Sequence, residues 1–141
     1  MATIDIEEQC NTIEACYEFT LSYAAQGLPT DGDNPAGKQL RDHLARALAA
    51  MRGLEASCEA HIQQEQPGQA DKYRAFFDVL VRDAASSAAA VDLVLAQPGI
   101  SSQLIDNLNA SMHLRALLTD LFLVTEILDL RRMQTSVVAS N

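Results

Sequence analysis

Glycine and proline are scarce in this chain of 141 residues, which has six glycines and four prolines. Apart from Gly53, they fall in three short stretches, residues 27–37, 67–68 and 98–99. Because both residues interrupt regular structure, the stretches divide the chain into four long segments. None of these segments alternates polar and apolar residues, so the pattern typical of β-strands is missing. The segments are rich in Ala, Leu, Gln and charged residues, which favours helices.

Basic residues are also few, since ten Lys and Arg against nineteen Asp and Glu give a net charge of −9. Nucleic-acid-binding domains carry a basic footprint, so we expect no nucleic-acid partner. No apolar run reaches the ~18 residues of a membrane-spanning helix, and the start of the chain lacks the pattern of a signal peptide. The sequence therefore predicts a cytoplasmic protein with no membrane partner.

The residue patterns of common active sites are missing as well. There is no Gly-x-Ser-x-Gly sequence and no phosphate-binding loop of the GxxxxGK[ST] form. The three cysteines form no CxxC pair, and their odd number is typical of free thiols in a reducing compartment. We predict no catalytic residue, no cofactor and a function other than catalysis.

The apolar residues recur at the three-to-four spacing of helices that bury one face. This spacing predicts helices over about 3–26, 35–66, 69–97 and 101–132, joined by short loops. Four such helices favour an all-α, antiparallel, up-down-up-down four-helix bundle, in a single domain over residues 1–132. Residues 133–141 show no pattern and are predicted to be a flexible C-terminal tail.

The acidic residues are concentrated in the first predicted helix. Residues 1–34 contain seven Asp and Glu and no Lys or Arg. Such a segment favours a solvated face, or a docking face that attracts a basic partner protein by electrostatics. Under the second interpretation, the candidate contact residues are Glu7, Glu14 and Glu18.

The fourth predicted helix is apolar nearly all the way round. One heptad seam is formed by Leu114, Leu117, Leu121, Val124 and Leu128. Further apolar residues (Leu118, Phe122, Leu123, Ile127 and Leu130) widen it. A helix that is apolar on several faces requires several covered faces. We therefore predict either a central position for this helix or a homodimer, the commonest closed assembly, with the seam residues as the contact.

A cysteine, a histidine and a glutamate lie on one face of the second predicted helix. Cys58, His61 and Glu65 are spaced i, i+3 and i+7, and Cys10 is expected near the same end of the bundle. Side chains of these types can bind zinc or another transition metal, so a metal ion is an alternative ligand. The segment 61–65 resembles the HxxxE motif of hemerythrin-like bundles. That family has histidines on all four helices, whereas this chain has three, none in the third predicted helix.

The sequence favours a small acidic protein-interaction module, such as an adaptor, a regulator or an assembly chaperone. One alternative is a bundle that binds a small ligand at its centre, where residues 84–90 are small and would face Met112 or His113. Another is a phosphotransfer bundle that uses His113, although the Lys-Gly pair typical after that histidine is missing. A third is an acidic decoy that occupies a nucleic-acid-binding protein.

Overall fold

The computed structural model describes the backbone of residues 2–140 and the side chains of residues 6–135. Over this range the protein is all-helical, with no strand. Its five helices are α1 (Ala2–Ala25), α2 (Pro35–Gln63), α3 (Pro67–Leu95), α4 (Ser102–Asn109) and α5 (Met112–Ser140). None of these helices is long and apolar enough to cross a membrane.

Side chains at the helix ends explain where the helices begin. The Asn34 carboxamide oxygen accepts the backbone N–H of Gly37 at 2.6 Å, and Pro35 occupies the first turn of α2. The Ser101 hydroxyl accepts the backbone N–H of Leu104 at 3.0 Å and caps α4. Both caps satisfy N–H groups that have no partner within the helix.

The fourth predicted helix is interrupted, so the expected single helix over 101–132 is corrected to two helices, α4 and α5. The chain turns at residues 110–111, where the Ser111 N–H bonds to the Leu108 carbonyl at 3.0 Å. Asn109 and Ser111 are poor helix formers, which permits the break. The two helices then cover different neighbours, because α4 packs mainly on α1 whereas α5 packs on α3 and α1.

Helix α5 also runs further than the sequence predicts. Residues 133–140 continue the helix where a flexible tail is expected, and Asn141 lies outside the described residues. The other differences are small: α2 ends at Gln63, and α3 begins at Pro67.

One contiguous core lies between the helices. Helix α1 packs on α2, α2 packs on α3, α3 packs on α5, and α5 packs back on α1. The largest fully buried side chains include Tyr23, Phe77, Leu40, Leu54 and Leu121. Burying apolar side chains of this size contributes about 1.5–3 kcal/mol each.

A polar network ties the loops together at the end of the bundle where α1 ends and α4 begins. The Tyr23 hydroxyl donates to the Ile100 carbonyl at 2.7 Å. The Ser102 hydroxyl donates to the Tyr23 carbonyl at 2.7 Å and accepts the Leu28 N–H at 2.8 Å. Because these buried groups are paired, this network stabilises the loops.

Candidate interaction surface

The outward side of α5 carries a row of exposed apolar side chains. We call Phe122, Leu123, Ile127, Leu130 and Met133 the α5 outer face. Leu123 and Leu130 are each 50 % exposed, and Ile127 lies half-buried between them. Four of the eight exposed large apolar side chains in the described part of the chain lie between Phe122 and Met133. A contiguous apolar patch of this kind is typical of a binding surface.

The predicted seam is on the opposite side of the same helix. Leu114, Leu117, Leu121, Val124 and Leu128 are all buried within the chain, none more than 6 % exposed. These five side chains therefore pack in the core and are not accessible to a partner, which corrects their assignment as contact residues. Among the residues predicted to widen the seam, Phe122, Leu123 and Leu130 are exposed and Ile127 is half-buried, whereas Leu118 is buried.

Acidic side chains border the α5 outer face on its α1 side. A groove of about 280 Å³ between α1 and α5 is lined by Phe122, Thr125 and Asp129 of α5. Residues of α1 complete the lining: Glu7, Cys10, Asn11 and Glu14. The predicted acidic face of α1 and the apolar face of α5 therefore meet at one groove.

The three predicted contact residues of α1 have different surroundings. Glu7 forms an ion pair with Arg132 near the end of α5. Glu14 lines the α1–α5 groove and has no side-chain hydrogen bond among the described residues. Glu18 is exposed and is not among the residues that line the groove. Glu14 is thus the predicted acidic residue best placed beside the α5 outer face.

Two carboxyl groups meet on the α3 side of α5. The Asp83 side chain of α3 is within hydrogen-bonding reach of Asp120 of α5, and both residues are half-buried. Burial and the neighbouring carboxylate raise the pKa of Asp120 to about 7. The Asp120 Oδ2 atom is buried and accepts no hydrogen bond from the described residues. The pair therefore shares a proton below neutral pH and repels itself above it.

The predicted metal ligands are brought together only in part. His61 Nε2 lies 3.1 Å from Glu65 Oε2, and both side chains are more than nine-tenths buried. The pair is out of line for a hydrogen bond, so neither ring nitrogen of His61 has a partner among the described residues. Among those residues, no three His, Cys, Asp or Glu side chains form a group that could hold a metal ion.

An arginine already forms an ion pair with the Glu65 carboxylate. Arg131 of α5 donates to Glu65 Oε2 at 2.7 Å and to the Tyr73 hydroxyl at 2.9 Å. Its guanidinium holds the pKa of Glu65 below the usual range. This arrangement links the loop after α2 to α3 and α5, and it provides a structural explanation for the burial of Glu65.

The cysteines are buried, and their thiols stay protonated at neutral pH. Burial raises the pKa of Cys58 to about 12 and that of Cys10 to about 11. Since the thiolate is both the nucleophile and the metal ligand, neither cysteine is activated.

The structure also locates the residues of two other hypotheses, phosphotransfer through His113 and a small ligand at the bundle centre. Ala84 and Ala88 are buried in the core, but Met112 is 82 % exposed. His113 is also exposed, so neither residue faces the bundle centre as expected.

The chemistry of the surface is thus an apolar helix face between two acidic borders. The sequence segment 116–133 contains Asp120, Glu126 and Asp129 together with Arg131 and Arg132, and these two arginines pair with Glu65 and Glu7. This combination suits a ligand that offers apolar and cationic groups together.

Comparisons of the chain with protein-family models, curated proteins and solved structures find no match.

Proposed function

We propose that this chain is a small, non-enzymatic protein-interaction module that binds a basic amphipathic helix of another protein on the α5 outer face. The observation that carries the proposal is the row of exposed apolar side chains centred on Leu123 and Leu130. An amphipathic helix laid on such a face buries its own apolar side chains every three to four residues. The acidic borders select a basic partner by charge complementarity.

The proposal includes the antiparallel four-helix scaffold, with α4 and α5 together in the fourth position. Contacts between helix ends support the antiparallel direction. Arg41 near the start of α2 donates to the carbonyls of Leu95 and Gln97 at the end of α3. Glu65, just after α2, pairs with Arg131 in the last part of α5. A scaffold of this kind holds the α5 outer face on a rigid element.

The predicted homodimer could use the α5 outer face only in place of its buried seam, and the charges argue against that arrangement. Asp83, Asp120, Glu126 and Asp129 would be repeated on both copies. Like charges placed opposite each other across an interface oppose association. A basic helix from another protein meets no such repulsion.

A pair of synthetic peptides tests the proposed function. The first peptide carries Leu every three to four positions and Lys on its polar face, and the second replaces each Lys by Glu. Fluorescence anisotropy measures the binding of each labelled peptide. We expect the Leu/Lys peptide to bind, and the Leu/Glu peptide and a scrambled Leu/Lys peptide to bind at least about tenfold more weakly.

Charged substitutions map the binding to the surface. Leu123→Glu and Leu130→Glu place a charge within the contact, and we expect each to weaken the Leu/Lys peptide about tenfold or more. Leu93→Glu of α3 is the matched control, since Leu93 is 67 % exposed but lies outside the α5 outer face. Equal losses in all three variants would contradict the proposal.

Native mass spectrometry of the same proteins distinguishes a second copy from a different partner. We expect the unliganded wild type to be a monomer. A dimer that Leu123→Glu abolishes and Leu93→Glu preserves would assign the α5 outer face to a second copy and overturn the basic-partner proposal.

A further inference from the structure

Arg131 is held in place at one end of the α5 outer face, and part of its guanidinium is unused. Its Nη1 atom donates to Glu65 Oε2 at 2.7 Å and to the Tyr73 hydroxyl at 2.9 Å. The guanidinium carbon lies 5.6 Å from the centre of the Tyr73 ring. The Nε and Nη2 atoms donate to no group of the described residues, and the side chain is 46 % exposed. Arg131 therefore combines a fixed orientation with accessible donors.

Arg131 also lies on the path of a helix that docks on this face. It follows Leu123 at i+8 and Ile127 at i+4, so the three side chains lie on one side of α5. Its bond to Tyr73 of α3 identifies this as the α3 side, away from the α1–α5 groove. A helix that covers Leu123 and Ile127 therefore brings one of its residues close to Arg131.

The buried Glu65 carboxylate does not depend on Arg131 alone. His61 Nε2 lies 3.1 Å from Glu65 Oε2, and neither ring nitrogen of His61 has a hydrogen-bond partner among the described residues. Buried polar groups of this kind are normally paired. A rotation of the His61 ring would bring an N–H into line with Glu65. The carboxylate therefore keeps a second donor when Arg131 shares its charge with another molecule.

We infer that the Nε–Nη2 edge of Arg131 binds a glutamate or aspartate side chain of the docked helix. The inference rests on the proposed function, and it adds one acidic position to a partner helix that is otherwise basic. The two parallel N–H groups of this edge match the two oxygens of a carboxylate. Because Glu65 and Tyr73 already orient the guanidinium, the site loses little side-chain entropy on binding.

Arg132, the next residue, provides an internal comparison. Its Nη2 atom pairs with Glu7 of α1, and Asp129 Oδ1 lies 3.8 Å from the same atom. Arg132 is 53 % exposed, much like Arg131, but its Nη2 atom already faces two carboxylates of the chain. A partner carboxylate therefore gains less at Arg132 than at Arg131.

A glutamate scan of the Leu/Lys peptide tests the inference. Each Lys is replaced singly by Glu, and fluorescence anisotropy measures binding to wild type, Arg131→Gln and Arg132→Gln. The two variants lose the same charge. We expect one Glu position to bind wild type about fivefold more tightly than the other Glu positions. Arg131→Gln is expected to remove this preference and Arg132→Gln to keep it.

Arg131→Lys separates the shape of the guanidinium from its charge. Lysine preserves the positive charge beside Glu65 but lacks the planar edge that binds a carboxylate through two donors. We expect the fivefold preference to fall below about twofold in this variant. Urea denaturation of the three variants checks that each one is folded under the binding conditions.

The results separate the two proposals. If wild type binds the Leu/Lys peptide but prefers no Glu position, the interaction module stands and the carboxylate site is overturned. Equal loss of the preference in Arg131→Gln and Arg132→Gln overturns the site as well, and so does full retention in Arg131→Lys. If wild type does not bind the Leu/Lys peptide, the proposed function fails and the carboxylate site fails with it.

Discussion

Asp31 and Asp120 are both partly buried aspartates, and their surroundings are opposite. Arg41 Nε donates to Asp31 Oδ2 at 2.5 Å, and the Ile100 N–H donates to Asp31 Oδ1 at 2.7 Å. The Arg41 guanidinium holds the pKa of Asp31 below its usual range. Asp120 instead faces a second carboxylate, and its pKa rises to about 7.

The difference separates an aspartate whose charge the fold neutralises from one whose charge it leaves without a cation. Asp31 has a cation and a backbone donor from within the chain, so its charge already joins α2 to the loop before α4. Asp120 has burial without a cation, which costs stability unless another molecule supplies one.

The largest expected effect is at Gly37, which touches the Asp31 loop. A Cβ atom at this position would lie 1.9 Å from the backbone carbonyl oxygen of Asp31. Because that oxygen belongs to the backbone, the loop must move. We expect Gly37→Ala to lower the free energy of unfolding by about 3 kcal/mol, measured by urea denaturation.

Gly53→Ala is the matched control for this substitution. The added Cβ would lie 2.6 Å from Gln9 Nε2, the end of a flexible side chain that can rotate away. Alanine also has the higher helix propensity, by about 1 kcal/mol. Gly53→Ala is therefore expected to keep or slightly raise stability, and an equal loss in both variants would contradict the close contact at Gly37.

A smaller loss is expected when the Asp31 charge is removed. Asp31→Asn weakens the contact with Arg41 and leaves that guanidinium without its counter-ion. We expect a loss of about 2 kcal/mol at pH 7. Because the folded pKa of Asp31 is lowered, its stabilisation is present above the unfolded pKa of 3.8 and is lost as the pH falls below it. Urea melts at pH 7 and pH 3 should therefore differ more for wild type than for Asp31→Asn.

Much of the fold is predictable from local sequence signals. Asn34 and Ser101 cap helices, and glycine and proline mark the three main loops. The break between α4 and α5 is not predictable in the same way, because the apolar periodicity continues across residues 110–111. Packing decides the break, since α4 covers α1 while α5 turns toward α3.

The candidate site is predictable only in part. Composition reveals that α5 carries more apolar side chains than one buried stripe needs. Periodicity alone does not say which stripe faces the core. It therefore predicts Leu121 as a partner-contact residue, although this side chain is fully buried. The meeting of Asp83 with Asp120 depends on the packing of two different helices. The sequence signal that could have pointed to this region is the absence of Lys and Arg over residues 116–130.

Glu65 offers a further comparison with Asp120, since Arg131 already supplies its cation. Glu65→Gln keeps the size of the side chain but weakens the ion pair that links the loop after α2 to α5. We expect a loss of about 1 kcal/mol, because Glu65 is buried while Arg131 is nearly half exposed. Thermal melts measure the effect. A gain in stability would show that the desolvation penalty of burying the Glu65 charge exceeds the stabilisation from its ion pair with Arg131.

Asp120→Asn is expected to act in the opposite direction and by the least. The folded pKa of Asp120 is about 7 and the unfolded value is 3.8, so the folded state binds the proton more tightly. Its contribution to stability is fully present below pH 3.8 and is lost as the pH rises through 7. Asparagine carries no charge at any pH, so the free energy of unfolding of the variant does not fall in this way as the pH rises. After allowance for solvent screening of a half-exposed pair, we expect Asp120→Asn to be about 0.5–1 kcal/mol more stable than wild type at pH 8.5.

The pH profile is the decisive part of this measurement. At pH 3, below the unfolded pKa of 3.8, position 120 is neutral in the folded and the unfolded states of both proteins, and their unfolding midpoints in urea should nearly coincide. At pH 8.5 the variant should unfold at the higher urea concentration. A variant that is less stable at both pH values would show that Asp120, like Asp31, stabilises the fold. A gain confined to high pH would instead show that the charge of Asp120 destabilises the folded chain.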